Sequence, residues 1–111
     1  MGVSSIVGTE NSFAALTEAD EVVTWGNAHY GGDSSAVADR VVAGVSSIVV
    51  TGGAFAALKE EGAVVTWGDA DADYGGDSSA IADRLVAGVI SVVGADCAFA
   101  ALKQAGEVVT W

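Results

Sequence analysis

Apolar residues in this chain fall into short runs separated by glycine, acidic and hydroxyl residues. "VSSIVV", "AFAALK" and "AVVTW" in the middle of the chain show the pattern, joined through "TGG" and "EEG". The runs are rich in Val, Ile, Phe and Trp, whose branched or planar side chains suit a pleated, half-buried surface. Runs of this length with tight Gly-rich or acidic connections predict short strands in an antiparallel meander.

The same three runs recur in order. "GVSSIV" at 2–7 returns at 44–49 and, as "GVISVV", at 88–93. "FAAL" stands at 13–16, 55–58 and 99–102, and "VVTW" at 22–25, 64–67 and 108–111. Trp25, Trp67 and Trp111 are thus 42 and 44 residues apart, which divides the chain into units 2–43, 44–87 and a partial 88–111. Self-similarity at a period of this size marks a repeat architecture, in which units that cannot bury a face alone must stack radially or linearly. Ala14, Ala15, Ala56, Ala57, Ala100 and Ala101 would let neighbouring sheets approach closely. The two extra residues of the second period lie where "GDADADYGG" replaces "GNAHYGG", so that stretch is a surface loop.

A fourth segment completes each full unit: "GGDSSAVADRVVAG" and "GGDSSAIADRLVAG". Asp33 or Ser34, and likewise Asp77 or Ser78, can cap a helix start by accepting backbone N–H bonds. Ile81 and Leu85 would share one helix face, and Gly44 and Gly88 suit an end that needs positive φ. The segment therefore predicts a short helix of about two to three turns, with a fourth strand as the alternative. The fold class is mainly β: tandem meanders, each followed by that helix or strand. A closed three-unit fold such as a β-trefoil is the architectural alternative.

The repeat resembles that of the regulator-of-chromosome-condensation family. The residues that carry the resemblance are Gly62, Val64, Trp67, Gly68, Gly75, Gly76, Val89, Val92, Ala101 and Leu102, and the pattern runs through nearly the whole chain. The resemblance implies β-propeller blades and a protein-binding platform. A family propeller has seven blades and this chain supplies fewer than three, so a fragment of a longer propeller, self-association or a host assembly are the readings it leaves open. The Gln-Leu between the turn glycines and the proline before the fourth strand are missing here. No motif matches the family's exchange-factor or chromatin-binding residues.

Composition narrows the chemistry. The 15 acidic residues against 4 basic ones give a net charge of -11. Binding to nucleic acid or an anionic membrane depends on clustered Lys and Arg, and Arg40, Lys59, Arg84 and Lys103 are scattered along the sequence, so neither partner is expected. No apolar run approaches the roughly 20 residues of a membrane helix, so membrane insertion is not expected. Cys97 stands alone, which leaves no disulfide framework, and the "MGVSSI" start reads as neither a secretory nor a myristoylation signal. An intracellular setting is favoured.

The candidate sites are few. Asp69, Asp71 and Asp73 alternate, with Asp77 nearby, as a calcium loop would place them. Such a loop needs Gly at its sixth and Glu at its twelfth position, and Tyr74 and Ala80 stand there instead. A capping and solubilising role is the competing reading, and no metal or cofactor is assigned. "GDSS" suggests a hydrolase serine, but a nucleophile needs an oriented base, and the single His29 does not repeat with the motif. No catalytic residue is assigned. Trp25, Trp67 and Trp111, with Phe13, Phe55 and Phe99, occupy equivalent places and read as packing residues. Tyr30, Tyr74, His29, Asp71 and Asp73 are the candidates for contact with a protein partner. The expectation is a non-enzymatic, protein-binding or structural module that meets a protein partner or itself; a calcium-binding repeat using the acidic loop is the alternative.

Overall fold

A computed structural model of the chain describes residues 2–28, 33–68 and 78–111. Nine strands form three separate three-stranded antiparallel sheets, each a meander of consecutive strands. The first holds β1 (Val3–Gly8), β2 (Ser12–Thr17) and β3 (Val22–Gly26). The second holds β4 (Val45–Val50), β5 (Ala54–Lys59) and β6 (Val64–Gly68). The third holds β7 (Val89–Gly94), β8 (Phe99–Lys103) and β9 (Val108–Thr110). Separate local sheets exclude the trefoil and give the stacked meanders the repeat predicts.

The register repeats with the sequence. Phe13 pairs with Trp25 and Phe55 with Trp67, which places each Phe and Trp on the same face of the sheet. The rings stack: centroids lie 5.5 Å apart for Phe13–Trp25, 5.3 Å for Phe55–Trp67 and 5.4 Å for Phe99–Trp111. A register shift interrupts β1 between Val3 and Ser5, β4 between Val45 and Ser47, and β7 between Val89 and Ser91. At the first two, Ser4 and Ser46 donate their hydroxyls to the Leu16 and Leu58 carbonyls at 3.0 Å. The third has Ile90 in that place, which carries no hydroxyl.

Two core clusters lie between the sheets. One unites Ala14, Leu16 and Val22 of the first sheet with Phe55, Ala57, Val65 and Trp67 of the second. The other unites Ala56, Leu58 and Val64 of the second sheet with Phe99 and Ala101 of the third. Alternation along β5 sends Phe55 and Ala57 to one neighbour and Ala56 and Leu58 to the other, so the middle sheet is buried on both faces. Its alanines are fully buried, the close approach their size predicts.

The fourth segment of each full unit is a 3-10 helix, Ser35–Arg40 and Ser79–Arg84, and not a strand. Asp33 makes the predicted cap, accepting from the Ser35 N–H at 2.9 Å. Ser34 and Ser78 make no side-chain cap. Their hydroxyls instead bond Thr24 and Thr66 at 3.0 and 2.9 Å, which ties each connector to the third strand of its own unit. Asp77 lies outside the described residues. Val41 and Leu85, just past the helices, fill the two clusters between sheets, with Val37 and Ile81 packed alongside. Gly44 and Gly88 end the connectors at φ of 74° and 82°, as a turn out of the helix demands.

Candidate functional site

The first strands of the three sheets lie side by side and their far ends converge. Gly94 shows how closely: a Cβ there would sit 2.3 Å from the Val50 carbonyl oxygen of the neighbouring sheet. The hairpin turns that follow β1, β4 and β7 are linked in series. The Glu10 N–H donates to the Gly52 carbonyl at 3.4 Å, and the Gly52 N–H to the Asp96 carbonyl at 2.9 Å. Together, residues 8–10, 50–52 and 94–96 line an open depression of about 460 Å³. Its side chains include Thr9, Thr51, Glu10 and Asp96, so the rim is polar and acidic.

Local chemistry holds these turns. Thr51 accepts from the Gly53 and Ala54 N–H groups at 3.4 and 3.1 Å. Thr9 shares a 2.6 Å bond with the buried Ser12 hydroxyl and accepts from the Asn11 N–H. The third turn has Ala95 in this position and closes through its backbone alone, Ala95 N–H to the Ala98 carbonyl at 2.8 Å. Cys97 is exposed beside Asp96, on this third turn.

The loops singled out in the sequence begin at this same end. β3 and β6 finish at Gly26 and Gly68, paired with Ser12 and Ala54 at the start of the second strands. The Asn27 N–H then donates to the Asn11 carbonyl of the turn at 2.8 Å. His29, Tyr30, Asp69, Asp71, Asp73, Tyr74 and Asp77 themselves lie outside the described residues. Among the described residues no group of three His, Cys, Asp or Glu side chains is placed to hold a metal. No helix among them is long and apolar enough to cross a membrane.

The opposite end is built from the second hairpins, whose described turn residues include Glu18, Asp20, Glu21, Glu60, Glu61 and Glu107. Asp20, Gly62 and Gly106 occupy one position at φ of 64°, 89° and 89°, so Asp20 adopts a backbone conformation its neighbours leave to glycine. Asp20 also raises the Glu60 carboxyl above its ordinary 4.5, by a hydrogen bond between the two carboxyls and then by charge repulsion. Arg84 meets Lys103 and Glu107 of the third blade here: Arg84 pairs with Glu107, and Lys103 Nζ donates to the Arg84 carbonyl at 2.8 Å. Two of the four cations that look scattered along the chain are therefore neighbours.

The tryptophans do not converge on a rim. Each stacks on its own phenylalanine on the face of a sheet, Trp67 buried and Trp25 half-exposed. The turns that line the depression, by contrast, stand in the sequence only as strand connections. Their signal is the recurrence of "GTEN", "VTGG" and "GADC" at one point of the repeat, each a turn that ends the first strand.

No protein-family model matches the chain, and no curated protein matches it by sequence. Solved structures do. Human WBSCR16 matches with a TM-score of 0.62 at 20% identity, over 98% of this chain and 34% of that one. A structure of Kap60 bound to yeast RCC1 (Prp20) matches with a TM-score of 0.66 at 20% identity, over 98% and 32%. Prp20p from Saccharomyces cerevisiae, described with its binding to Gsp1p and histones, matches with a TM-score of 0.62 at 16% identity, over 97% and 30%. The chain spans about a third of the length of these structures. The three sheets are thus successive blades of the RCC1-like propeller type that the repeat resembles.

Proposed function

We propose that this chain is a non-enzymatic, protein-binding propeller module whose turn-lined end receives a basic surface of a protein partner. The observation that carries the reading is the serial hydrogen bonding of the three turns around the depression. It holds three loop tips from three blades in one fixed frame, which is how a rigid scaffold presents binding residues. Glu10 and Asp96 make the frame acidic, and a net charge of -11 favours encounter with a positively charged partner. Of the similar structures, one holds Prp20 bound to Kap60 and another is described with the binding of Prp20p to Gsp1p and histones, which fits the same class of role.

The reading is tested by affinity capture with the wild-type chain and with a Glu10→Lys/Asp96→Lys variant whose circular dichroism is unchanged. A set of proteins retained by the first, lost by the second and released by moderate salt is the expected result. Identical capture by both chains would place the binding surface elsewhere.

A further inference from the structure

The two internal blade junctions follow one plan at the second-hairpin end, and they differ in the residues that fill it. In each, an N–H that opens the next blade donates to the carbonyl at the tip of the preceding hairpin: Val45 to Asp20 at 3.2 Å, and Val89 to Gly62 at 3.0 Å. The same peptide unit is held from its other side. The Gly44 carbonyl accepts from the Glu60 N–H and the Gly88 carbonyl from the Gln104 N–H, both at 2.8 Å. One peptide thus brings Asp20 and Glu60 together at the first junction, and Gly62 and Gln104 at the second. The first pair can ionise and the second cannot.

Other differences run the same way. A Cβ on Gly62 would lie 2.7 Å from the Gly88 nitrogen, so glycine is what lets the third blade close in. Asp20 carries a Cβ at that position and holds a φ of 64°, which disfavours any residue with a side chain. The second junction is also tied by Arg84, through Glu107 and Lys103. Arg40 has Ala63 in the place of Glu107, so that ion pair has no counterpart at the first junction. The groups around Asp20 and Glu60 are mostly acidic. Glu61 adds repulsion to Glu60, Glu21 follows Asp20 on its hairpin, and Glu18 accepts from the Gly2 N–H at 3.3 Å. The cations are Lys59, whose stem lies over Gly44, and Arg40, beside Asp39 at the end of the connector.

We propose that the first junction is a pH-sensitive seam: with Asp20 and Glu60 both ionised the first hairpin tip parts from the second blade, with one proton shared between them it closes, and the second junction stays closed throughout. Glu60 is the group that takes the proton, because Asp20 raises its carboxyl by a hydrogen bond and then by repulsion. The seam is therefore closed below the ordinary 4.5 of that carboxyl and opens as pH rises through the raised value. It lies at the end away from the depression and stands or falls apart from the partner reading.

Amide hydrogen exchange, read by NMR as protection factors at low ionic strength from about pH 4 to about pH 7, tests the seam directly. Protection of the Val45 N–H should fall about twofold to fivefold across that range, the scale of like charges facing each other, while that of the Val89 N–H holds constant. Glu60→Gln and Asp20→Asn should each remove the fall at Val45 and leave Val89 as it was. Both changes keep the side-chain shape, and circular dichroism checks the fold. Protection at Val45 that is level with pH, that falls in step with Val89, or that keeps its pH dependence in Glu60→Gln would each overturn the proposal.

Discussion

At the residue scale, one side chain type serves opposite situations according to which blade carries it. Phe55 is fully buried between two sheets, while Phe13, in the same register and on the same kind of tryptophan, is exposed. Phe55→Ala should cost about 3–5 kcal/mol, the loss of a large buried aromatic with its cavity. Phe13→Ala should cost roughly 1 kcal/mol, the size of a stacked ring pair. Urea denaturation of the two variants measures the difference, and equal losses would mean the faces are not distinct. The Asp20–Glu60 pair sets a pH dependence. Asp20 holds the Glu60 carboxyl above its ordinary 4.5, so the folded chain retains a proton the unfolded chain gives up. The associated stability is fully present below pH 4.5 and is lost as pH rises through the raised value. Asp33 acts in the opposite sense: the Ser35 hydroxyl and N–H lower its carboxyl below 3.8, so its contribution is present above that pH and lost as pH falls. Asp20→Asn removes the repulsion and keeps a residue type tolerated at positive φ. Thermal melts across pH should show a flatter curve above pH 4.5 and a higher melting temperature at neutral pH. An unchanged curve would show the pair is not coupled.

At the element scale, the second hairpin turn is where one blade meets the next. Gly62 and Gly106 share a φ of 89°, so alanine is strained at both. Only Gly62 has the next blade's backbone against it. Gly106→Ala should cost about 1 kcal/mol for backbone strain, and Gly62→Ala distinctly more, with the excess reporting the blade contact. Urea denaturation of the two variants separates them. The strand bulges offer a second check. Ser46→Ala removes the hydroxyl that bonds the Leu58 carbonyl and should cost about 1 kcal/mol. Hydrogen exchange localised to the start of β4 would register it, and unaltered exchange there would show that the backbone holds the bulge without the serine. The strands were legible in the sequence because β-branched runs and turn residues alternate at a fixed period. The connector was legible as a short helix between Asp33 and Gly44, but its 3-10 form was not. Nor was the bond from Ser34 to Thr24, because that contact depends on where the chain returns to the sheet.

At the scale of the whole molecule, a net charge of -11 on a chain of this size opposes compaction. Salt shortens the screening length to about 8 Å near 0.15 M, so the melting temperature should rise with ionic strength. A melting temperature that falls or stays constant as salt is added would show that attractive pairs, such as Arg84–Glu107, outweigh the repulsion.

What the sequence determined by itself is the repeat: the period, the strands within it, the equivalent Phe and Trp positions, and Gly44 and Gly88 as residues for a positive φ. These follow from local chemistry that is spelled out once per unit. The tertiary structure decided what identical units do in different places. Trp25 and Trp67 are the same residue in the same local setting, and only the presence of a neighbouring sheet buries one and leaves the other half-exposed. The depression among the turns likewise exists only because three turns, separated by more than forty residues each in sequence, are brought to one end and hydrogen-bonded there. Burial and concavity are properties of neighbours, and a repeated sequence does not say which of its copies has one.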